Sequence, residues 1–141
     1  MRQPKSIAHT VALILTLALL LIPATATAAP SAQSSNSLCQ GEAATIVYVG
    51  YDAAIFGTSG DDVIVVDGGW NTVHAGGGAD KLCVAGHFNV LEGEAGDDSI
   101  IAIGLHNALS GGGGDDTLQT DDSSSSMQGG DGVDSCNSRS C

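Results

Sequence analysis

Basic and aromatic side chains are scarce in this chain. Lys and Arg together number 4 against 16 Asp and Glu, and aromatic residues make up 4% of the 141 residues. Beyond Arg2 and Lys5 at the start of the chain, the only basic residues are Lys81 and Arg139. Nucleic acids and anionic membrane surfaces are bound through clusters of basic side chains. The composition therefore argues against both as partners and favours a protein that binds cations.

A long apolar run occurs once, from Ile7 to Ile22, and no second one follows. Its length of about 16 residues is short for a membrane span, which needs roughly 20. Basic residues precede the run, and the small residues of Ala26-Thr27-Ala28 follow it at the spacing of a cleavage site. We interpret residues 1–28 as a secretory signal peptide, with a retained N-terminal anchor as the alternative. The mature protein is then expected to be secreted, extracellular and free of membrane contact, with residues 29–38 as a flexible N-terminus.

Four cysteines, Cys39, Cys83, Cys136 and Cys141, follow the predicted signal peptide. An even number of cysteines in an exported chain favours two disulfides. The short spacing between Cys136 and Cys141 favours a terminal clip, which would leave Cys39 and Cys83 as the second pair. Other pairings and free thiols remain open at this point.

Five aspartates recur 18 residues apart, each two places after a glycine. They close the windows 57–62, 75–80, 93–98, 111–116 and 129–134, and they are Asp62, Asp80, Asp98, Asp116 and Asp134. A fixed period over this length is the signature of a solenoid. At strand spacing, about 4.8 Å, stacked carboxylates repel one another unless a cation lies between them. The repeat therefore predicts a column of cation-binding turns.

Each 18-residue rung contains two short apolar segments, which predict two strands per rung and a thin core between two sheets. The expected core residues of the first strand are Ile64, Leu82, Ile100 and Leu118, with Val66, Val84 and Ala102 two places later. Those of the second strand are Val73, Leu91, Leu109 and Met127. The residues just before the first set are expected to face solvent; they are Val63, Lys81, Ser99 and Thr117.

The two turns of each rung differ in chemistry. Glycines in the aspartate turn permit positive φ and aim carbonyl oxygens at one point, and an all-oxygen site suits Ca²⁺. Two stacked turns are needed to supply enough ligands. The other turn carries Asn71, Asn89 and Asn107, whose side chains satisfy turn amides without a metal. Residues 39–56 keep the apolar pattern but lack the ligands, which predicts an N-terminal capping rung.

The windows GTSGDDVIV (57–65), GEAGDDSII (93–101) and GGGGDDTLQ (111–119) resemble the nonapeptide G-G-x-G-x-D-x-U-x of the hemolysin-type (RTX) calcium-binding repeat family. Cys39-Gln40-Gly41 and Leu82-Cys83 are similar to short secreted actinobacterial members of this group. The resemblance implies an all-β fold: a right-handed parallel β-roll, a β-solenoid with 18-residue rungs, over residues 57–137. Residues 138–141 form a C-terminal tail in this scheme.

The resemblance also implies up to four Ca²⁺ ions between stacked turns on one edge. The implied side-chain ligands are Asp62, Asp80, Asp98, Asp116 and Asp134. The implied carbonyl ligands are those of Gly57, Ser59, Gly76, Gly78, Gly96, Gly114 and Gly132. The chain departs from the repeat at three places: Thr58 and Glu94 replace the second glycine, and Ala75 replaces the first. Thr58 and Glu94 are strained if that position requires positive φ.

No enzymatic activity is expected, because no serine lies in a G-x-S-x-G elbow. His74, His87 and His106 occupy different rung positions, so the histidines alone predict no zinc site. The expected function is a secreted calcium-binding β-roll whose folding is coupled to Ca²⁺. The alternative is an extracellular adhesion or surface-interaction module with structural calcium. Its contact edge would be the column Trp70, Phe88 and His106, although stacking between rungs explains that column too. The sequence identifies no protein or glycan partner.

Overall fold

The computed structural model describes residues 38–137 and residue 141, and the predicted signal peptide, residues 1–28, lies outside them. The strands in this part of the chain are β1 (Leu38–Cys39), β2 (Glu42–Ala43), β3 (Ile46–Val49), β4 (Ala54–Phe56), β5 (Val63–Asp67), β6 (Thr72–Gly77), β7 (Lys81–Ala85), β8 (Val90–Ala95), β9 (Ser99–Ile103), β10 (Ala108–Gly113), β11 (Thr117–Thr120), β12 (Ser126–Asp131) and β13 (Ser135–Cys136). Residues 38–137 and 141 contain no helix suited to crossing a bilayer.

Two parallel sheets make up the roll. One has six strands in the order β13-β11-β9-β7-β5-β3, and the other has five in the order β12-β10-β8-β6-β4. Consecutive rungs pair at a constant shift of 18 residues, so that Ile64 lies opposite Leu82 and Leu82 opposite Ile100. This register places equivalent residues of every rung in straight columns. The prediction of an all-β parallel β-roll with 18-residue rungs is confirmed.

The core lies between the two sheets and consists of one or two apolar side chains per strand. Ile64, Leu82, Ile100 and Leu118 are fully buried from one sheet, and Val73, Leu91 and Leu109 meet them from the other. Met127 and Cys136 in the last rung are only partly buried against this cluster. Burial of apolar surface stabilises a fold by about 25 cal/mol per Å². A core this thin therefore leaves much of the stability to interactions at the edges of the roll.

One edge is held by the buried asparagine ladder that the sequence predicts. The backbone N–H of Asn71 donates to Asn89 Oδ1 at 3.0 Å, and that of Asn89 donates to Asn107 Oδ1 at 2.9 Å. The side-chain amides of all three donate to carbonyls of glycines in the preceding rung, at 3.0 to 3.1 Å. Ser125 Oγ ends the ladder by accepting a hydrogen bond from the backbone N–H of Asn107. The predicted asparagine ladder is therefore present, and it satisfies the amides of these turns with protein groups.

Residues 38–43 lie outside the stack, as an antiparallel hairpin of β1 and β2. The disulfide between Cys39 and Cys83 fastens this hairpin to the outer side of the six-stranded sheet, and Glu42 forms an ion pair with Lys81. Cys136 and Cys141 form the other disulfide, so both favoured pairings are confirmed. The expectation that Val63 faces solvent is wrong, because Val63 is 9% exposed. Its position next to Lys81 lies on the face that the hairpin covers.

Candidate metal centre

The repeated aspartates form a continuous column along one edge. The backbone N–H of Asp62 donates to Asp80 Oδ1 at 2.7 Å, and that of Asp80 donates to Asp98 Oδ1 at 2.8 Å. The amides of Asp98 and Asp116 donate in the same way to the next aspartate, at 2.8 and 3.0 Å. Each aspartate thus reaches back with one carboxylate oxygen to the rung before it. In Asp80, Asp98 and Asp116, the other carboxylate oxygen remains available to a ligand.

That second oxygen is buried without a hydrogen-bond partner in three rungs: it is Oδ2 of Asp80, Asp98 and Asp116. Each of these residues is 1% exposed. Burying a carboxylate oxygen without a partner costs free energy, and such groups in native proteins are paired or coordinate metals. The three oxygens recur with the rung repeat, so they share one cause. The donor set fits a hard cation such as Ca²⁺.

Glycine at the first position of the window leaves space for oxygens from two rungs. A Cβ on Gly111 would lie within 3.0 Å of both Asp116 Oδ2 and the Gly129 carbonyl oxygen. A Cβ on Gly93 would meet Asp98 Oδ2 and the Gly111 carbonyl oxygen in the same way. The carboxylate of one rung and a carbonyl of the next therefore converge beside this glycine, in a space that a side chain at the glycine position would fill. Carbonyl and carboxylate oxygens are the ligands that Ca²⁺ prefers.

The column is electrostatically strained in the absence of a cation. Burial raises the pKa of Asp98 from its usual 3.8 to about 6, and the charges of Asp80 and Asp116 add to the rise. The hydrogen bond from the Asp80 amide offsets part of it. Burial likewise raises the pKa of Asp80 and of Asp116. All three carboxyls would be more easily ionised with a positive charge beside them.

The carbonyl groups that the sequence predicted as ligands lie in different surroundings in the structure. The carbonyls of Gly78, Gly96 and Gly114 point at the following rung, where each lies close to the glycine at the same window position. Gly57 lies beside Asp62 Oδ2, and Ser59 O is 4.0 Å from the Cβ position of Gly77. Gly76 packs against the Thr58 carbonyl, and Gly132 against the Gly114 carbonyl. The sequence did not predict the carbonyls of Ala75, Gly111 and Gly129, which are directed at the first window position of the preceding rung.

The first rung of the column is satisfied by hydroxyl groups. Thr58 donates to Asp62 Oδ2 through its amide at 2.7 Å and its hydroxyl at 2.9 Å. The Thr45 hydroxyl donates to Asp62 Oδ1 at 3.0 Å. Burial would raise the pKa of Asp62, but these hydrogen bonds outweigh it and lower the pKa. Asp62 therefore differs from the next three aspartates. The sequence signal for this difference was Thr58, which stands where the repeat has its second glycine.

The second window position requires positive φ, except in the first rung. Gly76, Gly112 and Gly130 have φ of 108°, 122° and 117°, and Glu94 has φ of 75° at the same position. Thr58 does not adopt positive φ. The expected strain therefore holds at Glu94 and is absent at Thr58, whose backbone instead turns its amide toward Asp62. Ala75 is fully buried and packs with the core.

A second, outer column of aspartates supports the turns. Asp61 Oδ1 accepts from the Ala79 amide at 2.8 Å, and Asp97 Oδ1 accepts from the Asp115 amide at 2.9 Å. Asp115 Oδ1 in turn accepts from the Val133 amide at 2.9 Å. Asp61, Asp97 and Asp115 are exposed, and each links its turn to the next through a backbone amide, whereas the second turn has Ala79 at this position.

Comparison with protein families agrees with this geometry. The model of the RTX calcium-binding nonapeptide repeat matches residues 50–82, 86–102 and 110–140 in four copies. The chain belongs to this family. No curated protein and no solved structure matches the chain. The RTX repeat and the roll together establish a calcium-binding β-roll. The matched residues include all five windows of the aspartate column, and the unmatched residues between them, 83–85 and 103–109, contain none.

Proposed function

We propose that this RTX protein is a secreted β-roll that folds when Ca²⁺ binds between its stacked turns. The unpartnered, buried Oδ2 atoms of Asp80, Asp98 and Asp116 carry the proposal. Their carboxylates would hold the ions together with carbonyls of adjacent turns, among them those of Gly96 and Gly114. The bound ion supplies the positive charge that a buried carboxylate column requires. We assign the protein no enzymatic activity.

Coupling to folding follows from where the ligands lie. The carboxylate and the carbonyl beside Gly93 belong to different rungs, so they come together only when the rungs stack. A site that does not exist in the unfolded chain contributes its binding free energy to folding. Extracellular calcium modules bind with Kd of about 10⁻⁴ to 10⁻³ M. Such sites fill outside the cell and stay empty in the cytosol, which fits a protein that folds after export.

We place three ions in the column instead of the four that five shared aspartates allow. Asp62 already has hydrogen bonds to both of its carboxylate oxygens, from Thr58 and Thr45. Asp134 begins no further site, because it lies in the last rung and is half-buried. The number of ions therefore equals the number of unpartnered Oδ2 atoms. Asp62 is therefore the first residue of the column, and its carboxylate is satisfied by hydrogen bonds from protein groups instead of an ion.

Calorimetric titration of residues 29–141 with Ca²⁺ tests the proposed function. We expect about three ions per chain, by the count of unpartnered oxygens. Asp98→Asn is expected to lower the ion count or weaken binding by more than about tenfold, because it removes a buried charged ligand. Asp62→Asn is the matched control and is expected to keep the wild-type count. Absence of calcium binding, or equal losses in both variants, would contradict this assignment.

A second candidate function is surface contact through the aromatic column on the asparagine edge. The rings of Trp70 and Phe88 stack at 4.3 Å, and those of Phe88 and His106 at 5.0 Å. Trp70 is 60% exposed and Phe88 42% exposed. All three residues have positive φ, which is costly for side chains of this size and is often retained at functional sites. A flat exposed aromatic platform suits a sugar ring or an apolar protein surface.

Retention on cell-wall material tests this second candidate. Trp70→Ala is expected to reduce the bound fraction several-fold, because it removes a large exposed ring of the column. Phe56→Ala is the matched control, since Phe56 is 65% exposed but lies outside the column. Both variants are assayed with saturating Ca²⁺. Equal retention of wild type and Trp70→Ala would remove the aromatic column as a contact surface.

A further inference from the structure

We propose that His74, Glu92 and Glu94 form a second metal site, for a divalent transition metal of the zinc class. The three side chains lie on the outer face of the five-stranded sheet, apart from the aspartate column. His74 Nδ1 is 2.8 Å from Glu92 Oε2 and 3.0 Å from Glu94 Oε1. One ligand atom from each residue lies within 4.8 Å of the other two. One nitrogen and two oxygens thus converge on one point.

The register of the roll brings these residues together. His74 in β6 pairs directly with Glu92 in β8. Glu94 follows Glu92 by two places along the same strand, and alternate residues of a strand share a face. The three ligands therefore project from two adjacent strands of a rigid sheet. Comparison of the histidines alone misses the site, because its other two ligands are glutamates of the next rung.

The ligand set differs in kind from that of the aspartate column. Calcium sites are built from oxygen ligands, whereas imidazole nitrogen suits zinc and other transition metals. One histidine with two carboxylates supplies three protein ligands and leaves a coordination position open, as in zinc sites that accept water or another molecule. The roll would thus carry two kinds of metal site with different selectivity. Calcium at millimolar concentration is not expected to displace zinc from this one.

The surroundings hold the imidazole in place and leave it accessible. The ring of Phe56 stacks on that of His74 at 5.1 Å with an interplanar angle of 6°. The side chains of His74, Glu92 and Glu94 are 30%, 40% and 45% exposed, so an ion reaches them from solvent. An ordered ring beside open carboxylates lowers the cost of arranging ligands around an ion.

Titration of the calcium-loaded protein with Zn²⁺ tests the proposal. The chain, residues 29–141, is kept in millimolar Ca²⁺ throughout, so that the roll stays folded. We expect one equivalent of Zn²⁺ to bind, and Co²⁺ to give a d–d absorption spectrum with a nitrogen ligand. His74→Ala and Glu92→Gln are expected to weaken binding by more than about tenfold. His106→Ala and Glu42→Gln are matched controls, with exposed side chains outside the cluster, and should bind as wild type does.

Glu94→Gly separates loss of the site from loss of the fold. Glycine occupies this window position in three other rungs, at positive φ, so the variant should fold and keep its calcium count. We expect it to lose Zn²⁺ binding to the extent that His74→Ala does. Stoichiometric Zn²⁺ binding that survives in His74→Ala, or its absence from the wild-type protein, would overturn the proposal and leave the three residues as a surface ion pair.

Discussion

Chelation of calcium with EGTA is expected to abolish most of the strand signal of this RTX protein in far-ultraviolet circular dichroism. Without cations, the roll must bury three unpartnered carboxylate oxygens in one column. An unpaired buried charge costs several kcal/mol, and domains of this size are stable by about 5–15 kcal/mol in total. The combined cost therefore matches or exceeds the stability that the thin core and the asparagine edge provide.

Readdition of Ca²⁺ should restore the signal, whereas Mg²⁺ should not, since its strict octahedral geometry fits a carbonyl-rich turn poorly. The disulfide between Cys39 and Cys83 limits the unfolded ensemble and blunts the response. The titration is therefore run on the oxidised and on the reduced protein, and the reduced form should need more calcium. A strand signal that EGTA leaves unchanged in both forms would show that folding does not depend on the metal.

Lowering the pH is expected to restore part of the strand signal that EGTA removes, as measured by far-ultraviolet circular dichroism. The pKa of Asp98 in the metal-free roll is about 6, above its usual 3.8. A carboxyl whose folded-state pKa is raised stabilises the fold below its unfolded pKa, and this contribution is lost as the pH rises through the folded value. The EGTA-treated chain should therefore regain strand signal near pH 4 and lose it again as the pH rises through about 6. Identical spectra at pH 4 and 7.5 would contradict this.

Gly111→Ala is expected to weaken one calcium site, toward the state of the Asp80 rung, which already carries Ala75 at this position, whereas Gly113→Ala, two residues away, should leave all sites unchanged. A Cβ at Gly111 would lie within 3.0 Å of Asp116 Oδ2 and of the Gly129 carbonyl oxygen, two of the oxygens assigned to the ion. A Cβ at Gly113 meets nothing within 4 Å, and neither glycine has positive φ. The two substitutions therefore add the same methyl group to the same strand and differ only in what it touches.

Calcium calorimetry and the thermal midpoint at fixed Ca²⁺ measure this difference. We expect Gly111→Ala to bind one of its ions more than about tenfold more weakly, which corresponds to about 1.4 kcal/mol or more. The midpoint should fall by several degrees, while that of Gly113→Ala should match the wild type. The variant should still fold, because Ala75 occupies the same window position in its own rung. Equal behaviour of the two variants would exclude the space beside Gly111 from the site.

The periodicity of the sequence was sufficient to predict a solenoid with two strands per rung, because an 18-residue repeat fixes which residues share a column; the parallel β-roll was implied by the resemblance to the RTX repeat. The core column of Ile64 and Leu82 and the buried asparagines follow from position within the rung. The disulfides also followed, since pairing Cys136 with Cys141 left only one partner for Cys39. These features depend on spacing alone, and spacing is visible in a single sequence.

Features that depend on direction or on the ends of the chain were not predictable in this way. The repeat shows which residues stack, but it does not show whether a carbonyl points to the rung before or after, as at Gly111 and Gly129. The hydroxyls that satisfy Asp62 come from Thr45, in a rung without the motif, and from Thr58, a departure from it. The terminal hairpin is fastened outside the stack and so lies beyond any periodic pattern.

The hydrogen bonds of the aspartate column join each rung only to its immediate neighbour, 18 residues away. One end of the column is closed by Thr58 and Thr45, and the chain at the other end is closed on itself by a short disulfide loop. The rungs between these ends make the same hydrogen bond through their aspartates, and only the rung 75–92 carries Cys83, the disulfide partner of the hairpin. Duplication or deletion of an 18-residue segment outside that rung is therefore expected to change the number of calcium sites in whole steps and to leave the hairpin and the terminal disulfide in place.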